Sequence, residues 1–310
     1  RSLRGWVVDN VNNNGGTLYV SNTQFFSNTA TAADGTIYEN YPLYAQILSS
    51  TFQSNTGGAI YINGGSNPLV IGDSQFISNT AAGTTGAIYA GTLTVTHSSF
   101  IGNVSNGGGN PYSGAIDANS DAYISDSTFL NNRGTASGAV NLNSGTSTAR
   151  YERVIRSVFK GNVGVRQYAG GLSSSQNLVV IDSEFSDNLL QTNNGGAGLS
   201  FTGSTLTLSR TLIYNNVVTG TSGTGGGLYA SGAVTLVNNT IYSNSASNGG
   251  GVYLNGSTAI LTNNTLVSNT AIITTNASNL RNVGTVYLHN NVIAGGPINC
   301  TGTPTSLRHN

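Results

Sequence analysis

The sequence predicts an all-β chain wound as a right-handed parallel β-helix, a solenoid of about eleven coils with no helical domain. Three observations lead there. A Phe-x-x-Asn motif returns every 24 to 30 residues, an aliphatic residue stands five positions before the anchor of each copy, and a glycine-led apolar run recurs through the periods. No segment has the apolar spacing of an amphipathic helix.

The anchors are Phe25, Phe52, Phe76, Phe100, Phe129, Phe159 and Phe185, followed in the same place by Ile213, Ile241, Leu266 and a degenerate copy at Ile293. Each phenylalanine is expected to point into the coil, where stacked rings bury apolar area worth roughly 25 cal/mol per Å2. Their partners Asn28, Asn55, Asn79, Asn103, Asn132, Asn162 and Asn188 are read as structural turn residues, because Asn tolerates left-handed backbone angles and can bond to its counterpart one coil away. Five residues before the anchors run Val20, Ile47, Ile71, Val95, Ile124, Val154, Val180, Leu208, Leu236, Leu261 and Leu288, a second interior column. Short runs such as "GGAIYI", "GAIYA" and "GGVYL" are rich in Ile, Val and Tyr and bounded by Gly, Asn and Ser, so they read as strands. Their paired glycines suit a backbone shape that a side chain would obstruct. A leucine-rich horseshoe lacks support, since its Leu-x-x-Leu-x-Leu frame is missing.

Eleven copies span nearly the whole chain, so residues 1–310 read as a single β-helix domain. Methionine is absent, so the sequence is expected to be a processed piece of a longer secreted chain from which any signal peptide has been removed. Eleven cationic and eleven anionic side chains give zero net charge, which argues against nucleic acid as a partner. No apolar run is long enough to cross a bilayer as a helix. Cys300, the single cysteine, is either a free thiol or half of a bridge to a residue beyond 310.

The doublet of Phe-x-x-Asn with Gly-Gly-Ala-Ile, seen in "FQSNTGGAI", resembles the repeat of chlamydial polymorphic outer membrane proteins and related bacterial β-helix surface proteins. That resemblance implies a secreted, surface-displayed passenger with an adhesin role. The sequence departs from it in having no autotransporter barrel, and in degrading the Gly-Gly-Ala element to "GGL" and "GGV" in the second half. The ending "NNVIAGGPINCTGTPTSLRHN" also resembles the tail of large β-helix surface proteins of environmental bacteria, in which a further cysteine and an anchor follow. This would place the partner of Cys300 downstream.

Some β-helices are polysaccharide lyases or glycoside hydrolases, which need clustered carboxylates. Asp73, Asp126 and Asp182 share the position three before the anchor, but two coils separate each from the next, about 10 Å at strand spacing. That is too wide for a retaining pair, and a turn-forming role is expected instead. His97, His289 and His309 have no metal-ligand spacing, and no cofactor or metal is called for. The segment 149–168 holds five of the eleven cations, Arg150, Arg153, Arg156, Lys160 and Arg166, a candidate patch for an acidic glycan or another subunit, partly neutralised by Glu152 on a solvated face. A second candidate is an outward row reading Tyr38, Tyr61, Tyr89, Asp117, Asn141, Ser173, Ser200, Tyr229 and Tyr253. Tyrosines such as Tyr61 and Tyr89 could stack sugars, but stacking on one another across coils is the expected role. Thr94, Arg153 and Val179 at one equivalent position do not form the Thr array of an ice-binding face.

The reading is therefore a noncatalytic extracellular protein of a bacterial surface, acting as adhesin, rigid spacer or self-assembling filament or surface-layer subunit. Its expected partners are further coils of the same chain, copies stacked end to end, or a cell-surface glycan. The alternatives are a polysaccharide-degrading enzyme and a glycan-binding module built on the basic segment.

Overall fold

The computed structural model describes residues 8–10, 16–30, 35–64, 67–107, 112–142, 151–193, 195–256, 258–302 and 304–308. Arg150 and His309 lie outside the described residues. Within them every strand pairs in parallel and there is no helix, so the chain is an all-β parallel solenoid.

Four sheets run along it. One coil shows the plan: Ile88–Ala90 belongs to sheet I, Thr92–Thr96 to sheet II, Ser99–Ile101 to sheet III and Val104–Ser105 to sheet IV. Sheets I and II have 12 strands, sheet III has 11 and sheet IV has 8. The eleven anchor strands of sheet III enclose about ten complete turns, one fewer than the coils expected from the motif count.

Alternation along the short strands separates core from surface. In sheet III the anchors pair from Phe25 to Phe185 and on through Ile213, Ile241, Leu266 and Ile293. The seven phenylalanine rings form one continuous stack, with centroids 4.5–5.0 Å apart and planes within 10° of parallel. The column from Val20 to Leu288 lines sheet II as expected. Sheet I contributes a third column that includes Ile60, Ile88, Ile116, Val140, Leu172, Leu199 and Leu228 and ends, after Leu280, at the half-buried Cys300.

The corners differ from the expectation in an informative way. Left-handed backbone falls on the residue just before each asparagine, for example Ser54 (φ 55°), Ser78 (φ 52°) and Asn131 (φ 54°), and not on the asparagine itself. Asn55, Asn79, Asn103, Asn132, Asn162 and Asn188 are instead buried rungs of a side-chain ladder. Each backbone N–H and Nδ2 donates to Oδ1 of the next asparagine, as Asn79 does to Asn103 at 3.1 and 2.9 Å. The same Nδ2 donates to the anchor carbonyl one coil back, Phe52 for Asn79, at 2.9 Å. The amide thus satisfies backbone groups that a buried turn would otherwise orphan.

Two residues before each anchor runs a second buried ladder that the motif search did not pick out. There Ser50, Ser74, Ser98, Ser127 and Ser157 each donate a backbone N–H to the next hydroxyl at 3.1–3.2 Å, and Asn239, Asn264 and Asn291 take over the place further on. At the position three before the anchor the expected turn is present in every coil, even where the residue is His97 (φ 48°), Arg156 (φ 46°) or Arg210 (φ 48°). The glycines that lead into sheet I act mainly through close approach: a Cβ on Gly114 or Gly138 would collide with the carbonyl oxygen of the next coil's glycine.

Candidate functional site

Sheet I presents the predicted outward row in unbroken register, Tyr38–Tyr61–Tyr89–Asp117–Asn141–Ser173–Ser200–Tyr229–Tyr253, and continues it to Arg281. The tyrosines stack on one another: Tyr38 on Tyr61 at 5.6 Å, Tyr61 on Tyr89 at 4.5 Å, and Tyr229 on Tyr253 at 5.7 Å. The Arg281 guanidinium lies 5.5 Å from the centre of the Tyr253 ring. Asn119 donates to the Tyr89 hydroxyl and Asn255 to that of Tyr229, so each tract is also pinned at its polar rim.

Between the tracts the row sinks below the surface. Asp117 is fully buried, and its carboxylate accepts from the Ser113 N–H and hydroxyl, the Thr85 hydroxyl and Asn141 Nδ2. Burial nevertheless pushes its pKa up, against those donors. The chain of bonds runs on: Ser173 donates to Asn141 Oδ1 at 2.6 Å and its hydroxyl meets that of Ser137 at 2.9 Å. Thr85, Ser113 and Ser137 each stand immediately before a glycine that leads into sheet I, a regularity visible in "TGAI", "SGAI" and "SGAV".

Beyond Ser173 the polar row opens into a groove of two adjoining compartments of about 180 and 380 Å3. Tyr168, Ser200 and Thr202 line both; Asn141 and Ser173 are among the residues lining the smaller one, and Tyr229, Tyr253 and Asn255 among those lining the larger. Tyr168, which the sequence did not single out, holds a left-handed backbone (φ 48°) on the loop that leads back to sheet I.

The carboxylates weighed for catalysis sit elsewhere, along the corner between sheets II and III. Arg156 grips Asp126 with Nε and Nη2 at 2.6 and 2.8 Å, and Arg210 grips Asp182 at 2.6 and 3.0 Å. Each guanidinium holds its partner's pKa down, chiefly by hydrogen bonding. His97 lies in the coil between Asp73 and Asp126. Among the described residues no group of three or more His, Cys, Asp or Glu side chains converges as a metal site.

The basic segment does not form one face. Arg153 is on the outer side of sheet II in register with Tyr123 and Val179, Arg156 is at the corner, Lys160 is on sheet III within 3.6 Å of Asp187, and Arg166 is on the loop after sheet IV. Glu152 corrects the expectation more sharply. It points into the core between Ala122 and Leu178 in the sheet II register, fully buried, and accepts from Ser174 at 2.5 Å. The alternation of "YERVI" places it on the same side as Val154, away from the solvated face on which it was expected. Asn103, which opens an Asn-Val-Ser sequon, is likewise buried, its amide being a ladder rung. No known protein family, curated protein or solved structure matches this chain.

Proposed function

We propose that the chain is a noncatalytic, extracellular surface rod, serving as adhesin, rigid spacer or assembly subunit. The observation behind this reading is the continuity of the asparagine ladder, which links each coil to the next from Asn28 to Asn279, with the ring stack from Phe25 to Phe185 beside it. Such a rod depends little on charge and so tolerates changing salt outside a cell. The likeness of its Phe-x-x-Asn/Gly-Gly-Ala-Ile repeat to polymorphic outer membrane proteins supports surface display at a bacterial envelope. Filament growth through end-on strand pairing fits the same architecture.

The enzyme alternative is the weaker one on chemical grounds. Asp126 and Asp182 are held ionised by arginines, which disqualifies them as general acids near neutrality, and Asp117 is enclosed by its own donors. The test is incubation of the protein with acidic and neutral polysaccharides while both retention and reducing ends are followed. No product is expected whether or not a polysaccharide is retained; sustained release of oligosaccharides, abolished by Asp126→Asn or Asp182→Asn, would overturn the reading.

A further inference from the structure

We propose that the groove over sheet I is a saccharide site for a neutral glycan, with a sugar ring stacked on Tyr229 and its hydroxyls held by Ser200, Thr202 and Asn255. This names a ligand for the adhesive role above and rests on that reading only for where the glycan is met.

Ser200 decides the placement. It is 4% exposed, and its hydroxyl has no hydrogen-bond partner among the described residues while lining both compartments. One rung earlier the same row is saturated, with Ser173 bonded to Asn141 and Asn141 to Asp117. One rung later comes Tyr229, stacked on Tyr253. The tyrosine stack therefore stops where a serine leaves space for a ring, and the Ser200 hydroxyl borders that open space instead of a protein partner.

The lining fixes the ligand class. Hydroxyl, amide and aromatic groups surround the space, and no charged side chain lines either compartment. A pyranose has what these groups recognise: an apolar C–H face for the tyrosine ring and a rim of hydroxyls that both donate and accept. A sulfated or uronic sugar would find no counter-charge in the lining itself: Arg281 lies against the Tyr253 ring and donates to Asn276, and Asp117 lies behind Asn141. The left-handed Tyr168 flanks both compartments, a strained residue at a ligand-sized space.

The test is binding of the purified protein to an array of neutral, uronic-acid and sulfated oligosaccharides, followed by calorimetric titration with the tightest neutral one. Neutral glycans are expected to be retained in preference to charged ones. Tyr229→Ala should weaken binding by about tenfold or more, Ser200→Ala and the exposed Asn255→Ala should weaken it several-fold, and Tyr61→Ala in the other tract should not change it. If Tyr229→Ala lowers the melting temperature, the two milder variants decide. Retention of charged glycans only, of none, or unchanged affinity in Ser200→Ala and Asn255→Ala would overturn the proposal. Those failures would leave the surface rod standing, because they concern a ligand and not the location of the protein.

Discussion

The side-chain amide of Asn132 donates to Oδ1 of Asn162, one coil further on, at 3.0 Å, and also to the Phe100 carbonyl one coil back at 2.9 Å. A single buried side chain thus ties three coils together, and its own Oδ1 receives the N–H and amide of Asn103. Asn132→Ala should cost about 3 kcal/mol, the order expected when several buried groups lose partners at once. Asn132→Asp should cost more, because it turns a carboxylate oxygen toward the Phe100 carbonyl and Asn162 Oδ1. Chemical denaturation of both variants checks the order; Asp milder than Ala would contradict it.

Phe129 lies in the middle of the ring stack, 4.8 Å from Phe100 and 4.7 Å from Phe159. Phe129→Ala should cost about 3–5 kcal/mol through lost burial and a cavity. Phe129→Leu should cost about 1.5 kcal/mol or less, since Ile213, Ile241 and Leu266 fill the same column in later coils.

His97 occupies a left-handed position (φ 48°) at an exposed corner where most other coils place Asn or Asp. His97→Asn removes part of that backbone cost and should raise the melting temperature by about 2 °C. A lower melting temperature would show that the imidazole itself contributes there.

The buried and exposed aspartates should give opposite pH dependence. Burial raises the pKa of Asp117, so between its ordinary value and the raised one the folded protein keeps a proton that the unfolded chain has released. Its contribution to stability is fully present below the unfolded pKa and declines as pH rises through that window. Asp126 and Asp182 have lowered pKa values, so their contribution is fully present above the ordinary carboxylate range and is lost as pH falls through the lowered values. Melting temperature against pH for the unaltered protein, Asp117→Asn and the double variant Arg156→Ala/Arg210→Ala separates the two. Asp117→Asn should flatten the decline with rising pH, and the arginine variant should lessen the loss on acidification.

The solenoid was legible because its signal repeats. An anchor motif in eleven registers, seven of them Phe-x-x-Asn, outweighs any ambiguity in one copy, and the outward row from Tyr38 to Tyr253 follows from the same registration. The interior role of Glu152 was not legible, because residue type argues for solvent and only strand alternation argues for the core. The groove was hidden for a different reason. Its row residues were in view, but Tyr168 reaches them from a loop of no fixed length, and a missing partner for Ser200 is a property of three-dimensional neighbours.

The most direct test of the surface-rod account is immunogold electron microscopy of intact cells of the source organism with antibody raised against this chain. The account predicts gold on the outer face of unpermeabilised cells, along thin projections or a surface layer. Label that appears only after the cells are opened, and lies inside them, would contradict it.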